Sequence, residues 1–223
     1  MSAPLLAALL LVQGTGLTLD EATLVVRADT QEVARETFRL LSRRVTDSSS
    51  GWLLASRIRW DGSPPITFAP ALTVEPDTTP ETLQYEVAAN GASQRITGQT
   101  GPGRYTLRYV APGVERAREV ARGVATVIVD DSVFAPFLLA GWRAGAAPRT
   151  ITAIYPRSAR RVDLTITDLG MAETTVNRDP ATLRHVLVEG GADGPVHVWL
   201  SPEGRLMKVE VPSRGLRAER LPG

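Results

Sequence analysis

Cysteine is absent from this 223-residue chain. The fold therefore carries no disulfide, and a cysteine-anchored lipoprotein is excluded as well. Lysine is almost absent: Lys208 is the only one, and the other 24 of the 25 basic residues are arginine. Beside much Ala, Gly and Pro, that skew is read as genome composition rather than function. Histidine occurs only at positions 185 and 197. Two imidazoles alone do not make a zinc site, which needs three or four protein ligands. An excess of one charge is also missing. The formal net charge of +1 leaves no electrostatic case for a nucleic-acid partner. No G-x-S-x-G elbow, Walker loop, G-x-G-x-x-G after a strand, H-x-H or H-E-x-x-H is present.

A long hydrophobic run is lacking too. Leu5–Val12 is apolar but far below the roughly 20 residues that span a bilayer, so no transmembrane span is expected. Gly14-Thr15-Gly16 follows it, a small-x-small pattern like a signal-peptidase site. Residues 1–16 are read as a signal peptide, although no Lys or Arg precedes the run, with a short core helix as the alternative. The expected location is then periplasmic or secreted. Residues 17–223 read as one domain.

What the chain has in abundance is alternation. Hydrophobic residues make up 43% and charged ones 22%, an ordinary globular balance. Trp52, Leu54, Ser56, Ile58 and Trp60 alternate with Ala55, Arg57 and Arg59, the period-two signature of a half-buried antiparallel strand. Leu24/Val26/Ala28, Phe38/Leu40, Ile66/Phe68/Leu72/Val74, Leu83/Tyr85/Val87 and Tyr105/Leu107/Tyr109 repeat the pattern. Pro70 predicts an edge or bulge in its strand, a further strand is expected near Arg95–Gly98, and Gly98–Gly103 predicts a loop. Later strands are expected at Glu115–Arg122, Val124–Val129, Arg149–Tyr155, Arg161–Thr167, Met171–Arg178, Leu183–Val188 and Val196–Ser201.

One stretch differs. From Ser132 to Trp142 there is no charge, and Phe134, Phe137/Leu138 and Gly141/Trp142 fall at helical spacing. A helix apolar on every face must be buried on every face. We therefore expect a mainly β fold: a single large, strongly curved antiparallel sheet, a half-open barrel, wrapped around one short central helix. Asp131 or Ser132 would cap that helix, and Pro136 places its start at Ser132 or later or distorts its first turn.

The terminal hairpins can be registered. Val188 opposite Val196 sets Leu187 against His197 and His185 against Trp199. A tight turn at Ser201–Gly204 sets Trp199 against Met207. The more apolar face then holds Leu183, His185, Leu187, His197, Trp199, Met207, Val209 and Val211, and is expected to point inward.

Asp130-Asp131-Ser132-Val133-Phe134-Ala135, Val198-Trp199-Leu200-Ser201-Pro202-Glu203-Gly204-Arg205-Leu206, Val209-Glu210-Val211-Pro212 and Gly215-Leu216-Arg217-Ala218, with the early Phe38 strand, resemble a bacterial family of exported β-rich proteins known as a domain of unknown function. The resemblance implies a half-open antiparallel barrel similar to periplasmic lipoprotein carriers, whose curved sheet holds an apolar ligand or an internal helix.

These readings lead to an exported cell-envelope protein, non-catalytic and without cofactor. It would bind a lipid or other apolar molecule on the concave face through Trp52, Trp60, Phe68, Phe134, Phe137, Trp142, His185, His197, Trp199 and Met207. Two alternatives stand beside it. One is an envelope assembly or structural protein with a protein partner. The other is a hydrolase or metal-dependent enzyme using His185, His197 and carboxylates such as Asp130 or Asp131.

Overall fold

The computed structural model describes residues 16–44 and 50–222. The expected signal segment up to residue 15 lies outside them, as do residues 45–49. The alternating segments become eight consecutive strands: β1 (Thr18–Ala28), β2 (Gln31–Arg44), β3 (Ser50–Trp60), β4 (Ile66–Val74), β5 (Pro80–Ala89), β6 (Ala92–Gly101), β7 (Arg104–Ala111) and β8 (Val114–Ala121). A short β9 (Thr126–Ile128) and the single α-helix among the described residues, α1 (Phe137–Trp142), follow. The chain then returns through β10 (Arg149–Tyr155), β11 (Arg160–Val176), β12 (Asp179–Glu189), β13 (Val196–Leu200), β14 (Leu206–Val211) and β15 (Leu216–Arg220).

All strands join one 15-stranded sheet in the order β8-β7-β6-β5-β4-β3-β2-β1-β15-β14-β13-β12-β11-β10-β9. It is a meander of two halves, with β1 and β15 paired antiparallel at the seam and β8 and β9 as free edges. An Arg220–Asp20 ion pair at 2.5 Å, with both side chains largely buried, fastens that seam. The inward side chains form one continuous core running from Leu24, Phe38 and Ile58 through Tyr85, Leu107, Ile154 and Val186 to Val209. The expected half-open barrel around one short helix is what the chain forms.

Several details differ from the sequence reading, each for a local reason. Pro70 sits inside the sheet, opposite Tyr85 of β5. Pairing with β3 lapses between Ala55/Ala71 and Ile58/Phe68, because proline has no N–H for that ladder. Gly98 belongs to β6, and the turn is confined to the residues between Gly101 and Arg104. The two strands expected at Arg161–Thr167 and Met171–Arg178 are one strand, β11, bulged between Asp168 and Met171 with Gly170 at φ +81°. Asn177 and Arg178, both at positive φ, form its turn into β12, a primed two-residue hairpin. The sheet is also not wholly antiparallel, since β9 runs parallel to β10.

The helix is shorter than expected. Ser132–Pro136 is irregular, α1 begins after Pro136, and no side chain caps it. A proline N-cap supplies no acceptor for the first-turn amides, so neither Asp131 nor Ser132 caps the helix. The segment's role follows from the parallel pair: two parallel neighbours need a crossover of a dozen or more residues. The stretch from Val129 to Pro148 is that crossover, and it runs through the concave side.

Gly98 illustrates how tightly the core is filled. A Cβ there would lie 2.5 Å from the ring of Tyr105, which is fully buried. Gly98→Val is therefore expected to cost roughly 1–3 kcal/mol by overpacking, read as a lower urea midpoint at unchanged slope.

Candidate functional site

Charged and polar groups come together in two places, one on each face of the sheet. On the concave side lies the crossover. Val133, Phe134, Ala135, Leu138, Leu139 and Ala140 are each no more than 2% exposed. Buried irregular backbone must find hydrogen-bond partners, and here β2 supplies them. Glu36, fully buried between Ala34 and Phe38, accepts the Phe134 amide at Oε2 (2.8 Å) and the Ala135 amide at Oε1 (3.1 Å). Trp60 Nε1 donates to the Ser132 carbonyl at 2.9 Å.

Asp130, also buried, is a second hub. It accepts the Tyr85 hydroxyl at 2.9 Å, the Ser132 amide at 2.8 Å and a bidentate pair from Arg157 at 2.8 and 2.9 Å. Arg157 also pairs with Asp131 and stacks on the Phe68 ring, 4.6 Å from its centroid. One guanidinium thus bridges Asp130 and Asp131, and the Asp130 side chain shapes a turn through the Ser132 amide. Tyr85 is pushed well above its ordinary range by burial and by the Asp130 carboxylate, so it stays a donor.

The predicted aromatics divide accordingly. Trp52 meets Trp142 edge-on at 5.9 Å, Trp60 meets Phe134 at 6.2 Å, and Phe68 meets Tyr85 at 6.4 Å. They pack with Phe137 against the crossover rather than around a gap. The space bounded by Asp130, Asp131, Phe134, Phe137, Tyr155, Gly191, Asp193, Gly194, Val196 and Val211 measures about 20 Å³, enough for about one water.

His185, His197, Trp199 and Met207 are elsewhere. The β12–β13 register is as expected, with His185 opposite Trp199 and Leu187 opposite His197. The inward face, however, is the other one. Val186, Val188, Val196, Val198, Leu206, Val209 and Val211 are in the core, and the histidines lie on the convex side. A bulge between Trp199 and Leu200 shifts β14 by one residue, so Trp199 pairs with Lys208 and His197 with Glu210. With that shift the valines of three strands share one face, and apolar burial selects it.

On the convex side the distal arm of the β11–β12 hairpin folds back over the sheet. Val176, Leu183 and Trp199 form a small buried cluster there, packed by Ala172, Ala181 and Met207. The His185 ring stacks on Trp199 at 3.9 Å with 5° between planes. His185 Nε2 and His197 Nδ1 are 2.8 Å apart. Trp199 Nε1 donates to Glu210 at 3.0 Å, and Glu210 pairs with the buried Lys208 at 2.9 Å. No group of three or more His, Cys, Asp or Glu able to hold a metal occurs among the described residues. The sheet also separates the histidines from Asp130 and Asp131.

No family model and no curated protein matches the chain. Among solved structures, it is similar to the crystal structure of a beta-barrel-like protein of domain of unknown function DUF1849 from Brucella abortus. The likeness covers 90% of this chain and 94% of that one, with a TM-score of 0.54 and 12% sequence identity. It shows the fold, and nothing about what is bound.

Glu36 was missed by the sequence reading, although it shares the inward parity of Phe38 and Leu40. Burial is the main cause that pushes its carboxyl up to about 7, aided by Asp130. The Phe134 amide, the nearby Ser56 hydroxyl and the Ala135 amide pull it back. The folded chain therefore holds a proton between 4.5 and about 7 that the unfolded chain releases. Its contribution to stability is complete below 4.5 and lost as pH rises through about 7. Between acid and alkaline limits the difference is about 3 kcal/mol. Comparing denaturant unfolding of wild type and Glu36→Gln across that window should show this slope in wild type only. Glu36→Ala orphans two buried amides and is expected to cost roughly 1–3 kcal/mol for each.

Proposed function

We propose that the protein is a non-catalytic component of the cell envelope that acts through its outer surface as an interaction or structural module. The observation that carries this reading is the crossover from Val129 to Trp142, buried against the concave face, where the space beside Phe134 and Phe137 measures about 20 Å³. A drug-sized or lipid-sized ligand needs hundreds of cubic ångströms. An apolar molecule would enter the concave side only if Val133–Trp142 left it. That departure would strip the partners from Glu36 and expose Phe134, Phe137 and Leu138. Location in the envelope rests on the sequence reading of residues 1–16 as a signal peptide. A hydrolytic role joining His185 and His197 to Asp130 or Asp131 would need them on one side of the sheet, and these residues lie on opposite faces.

The free edge β8 is the most accessible strand, with only Val120 buried along it. Its Glu115, Arg116, Arg118 and Glu119 are the charges that guard an edge against indiscriminate strand addition. A partner at that edge would have to match them.

Organic extraction of the purified protein followed by mass spectrometry is expected to yield no stoichiometric lipid. A stoichiometric apolar molecule would restore the ligand-carrier reading. Photo-crosslinking from Ala117 on β8 in intact cells is expected to give a discrete adduct. Absence of adducts from β8 and from the rest of the outer face would sink the interaction reading. Phe137→Asp places a charge in the core and is expected to abolish cooperative unfolding, seen as loss of near-ultraviolet circular dichroism.

A further inference from the structure

The convex face poses a separate question: what holds the β11–β12 arm down. Beyond the Asp168–Met171 bulge the arm leaves its own ladder's neighbours and crosses toward β15 and β1. The Asn177 amide donates to Glu219 Oε1 at 3.3 Å, and its side-chain amide donates to the Arg220 carbonyl at 2.5 Å. Arg27 reaches Asn177 Oδ1 at 3.4 Å and Glu219 at 3.1 Å. Lys208, 3% exposed, donates to Thr174 Oγ1 at 3.2 Å and to the Thr175 carbonyl at 3.1 Å. Under the arm lie Trp199 and Leu183, with the His185 ring stacked on the indole.

The contact between the two imidazoles sets a limit on protonation. A separation of 2.8 Å between His185 Nε2 and His197 Nδ1 is a hydrogen bond only if one nitrogen donates and the other accepts. The pair therefore holds one proton between these two atoms. Charging both rings puts a proton on every ring nitrogen, turns both facing nitrogens into donors and sets two positive rings against each other.

We infer that the arm from Gly170 to Ala181 is a proton-operated clasp, closed while His185 and His197 share one proton and released from the convex face when both are charged. The charged groups acting on His185 are His197 from β13 and Glu210 and Lys208 from β14. From β11, the arm offers Lys208 only threonine oxygens. Asp168 and Arg184 at the arm's base pair with each other, and Arg184 also donates to the Ala144 carbonyl. Glu219 and Arg27 are paired at the far end. Among the described residues Glu210 is the carboxylate that acts on His185, and it is already engaged by Lys208 and Trp199. It cannot balance a doubly charged pair. Burial, then His197, holds His185 below its ordinary 6.5. The folded state resists charging of both rings, and the clasp's stability is lost as pH falls below that value.

Hydrogen exchange read by mass spectrometry on the full chain tests this, with rates corrected for intrinsic pH dependence. Between about pH 8 and about pH 5, protection of peptides covering 171–181 is expected to fall roughly tenfold or more, while the core of β3 holds. His185→Phe keeps a ring on Trp199 but cannot titrate, and its arm should be equally protected at both pH values. Acid loosening cannot be assigned to Glu36, whose titration acts with the opposite sign. NMR titration of the two histidine ring protons in wild type is expected to show two coupled steps. Equal arm protection at both pH values in wild type would overturn the inference. So would the same acid loss in His185→Phe, or two rings that titrate independently.

Discussion

A single carboxylate accepting two backbone amides is the constraint on which the interior depends. Pairing β9 parallel to β10 obliges the chain to cross over, and the crossover runs buried along the concave side. Its Ser132–Pro136 portion is irregular, so it cannot satisfy its own amides as a helix would. Glu36 serves two of them, Trp60 takes a carbonyl, and the Asp130 hub ties the turn to β5 and to Arg157. Once that backbone is fixed, Phe134, Phe137, Leu138 and Leu139 are placed against the curved sheet. The aromatic pairs of β3 and β4 then close over them. The cost of burying an acid is carried at the one point where it brings the most backbone into order.

The two faces of the sheet are closed by different devices. Backbone crosses the concave side and is pinned by buried acids. On the convex side a two-stranded arm is held by the only lysine, by Asn177 at its tip and by packing on a tryptophan. Each device is a non-local contact: Glu36 meets residues about a hundred positions away, and Arg27 meets Asn177 across 150. The β-barrel-like structure from Brucella abortus shares the architecture at 12% identity. A shared fold at that distance does not carry a shared role.

The pattern of legibility follows the range of the forces. Period-two alternation is local, so β1 to β8 could be read from the chain, as could the β12–β13 register. The orientation of β12 to β14 could not. It turns on one bulged residue near Leu200, which moves Val209 and Val211 onto the face of Val186 and Val198. Trp199 misled for a related reason: it is buried, but beneath an arm whose fold-back depends on Gly170, Asn177 and Lys208 together. The apolar stretch at 132–142 was correctly placed at the centre. Its helical spacing overstated its helix, because Pro136 and the missing cap let tertiary hydrogen bonds replace a first turn. Glu36 sat at a legible inward position, yet nothing in the strand itself named Phe134 and Ala135 as its partners.

The seam between β1 and β15 has a consequence for how the molecule comes into being. Every other adjacent strand pair is consecutive along the chain, with β9 and β10 joined by the crossover, so each half-meander can form as its residues become available. The seam joins the first strand to the last, across about 200 positions at the Asp20–Arg220 pair. Loop closure over such a span is entropically late. Until β15 arrives, β1 is an open edge carrying Val25 and Val26, which are buried in the finished sheet. During synthesis the N-terminal half therefore waits with an exposed template for strand addition. The same seam brings the start of β1 beside the end of β15, so the order of the two halves along the chain is not imposed by the sheet itself.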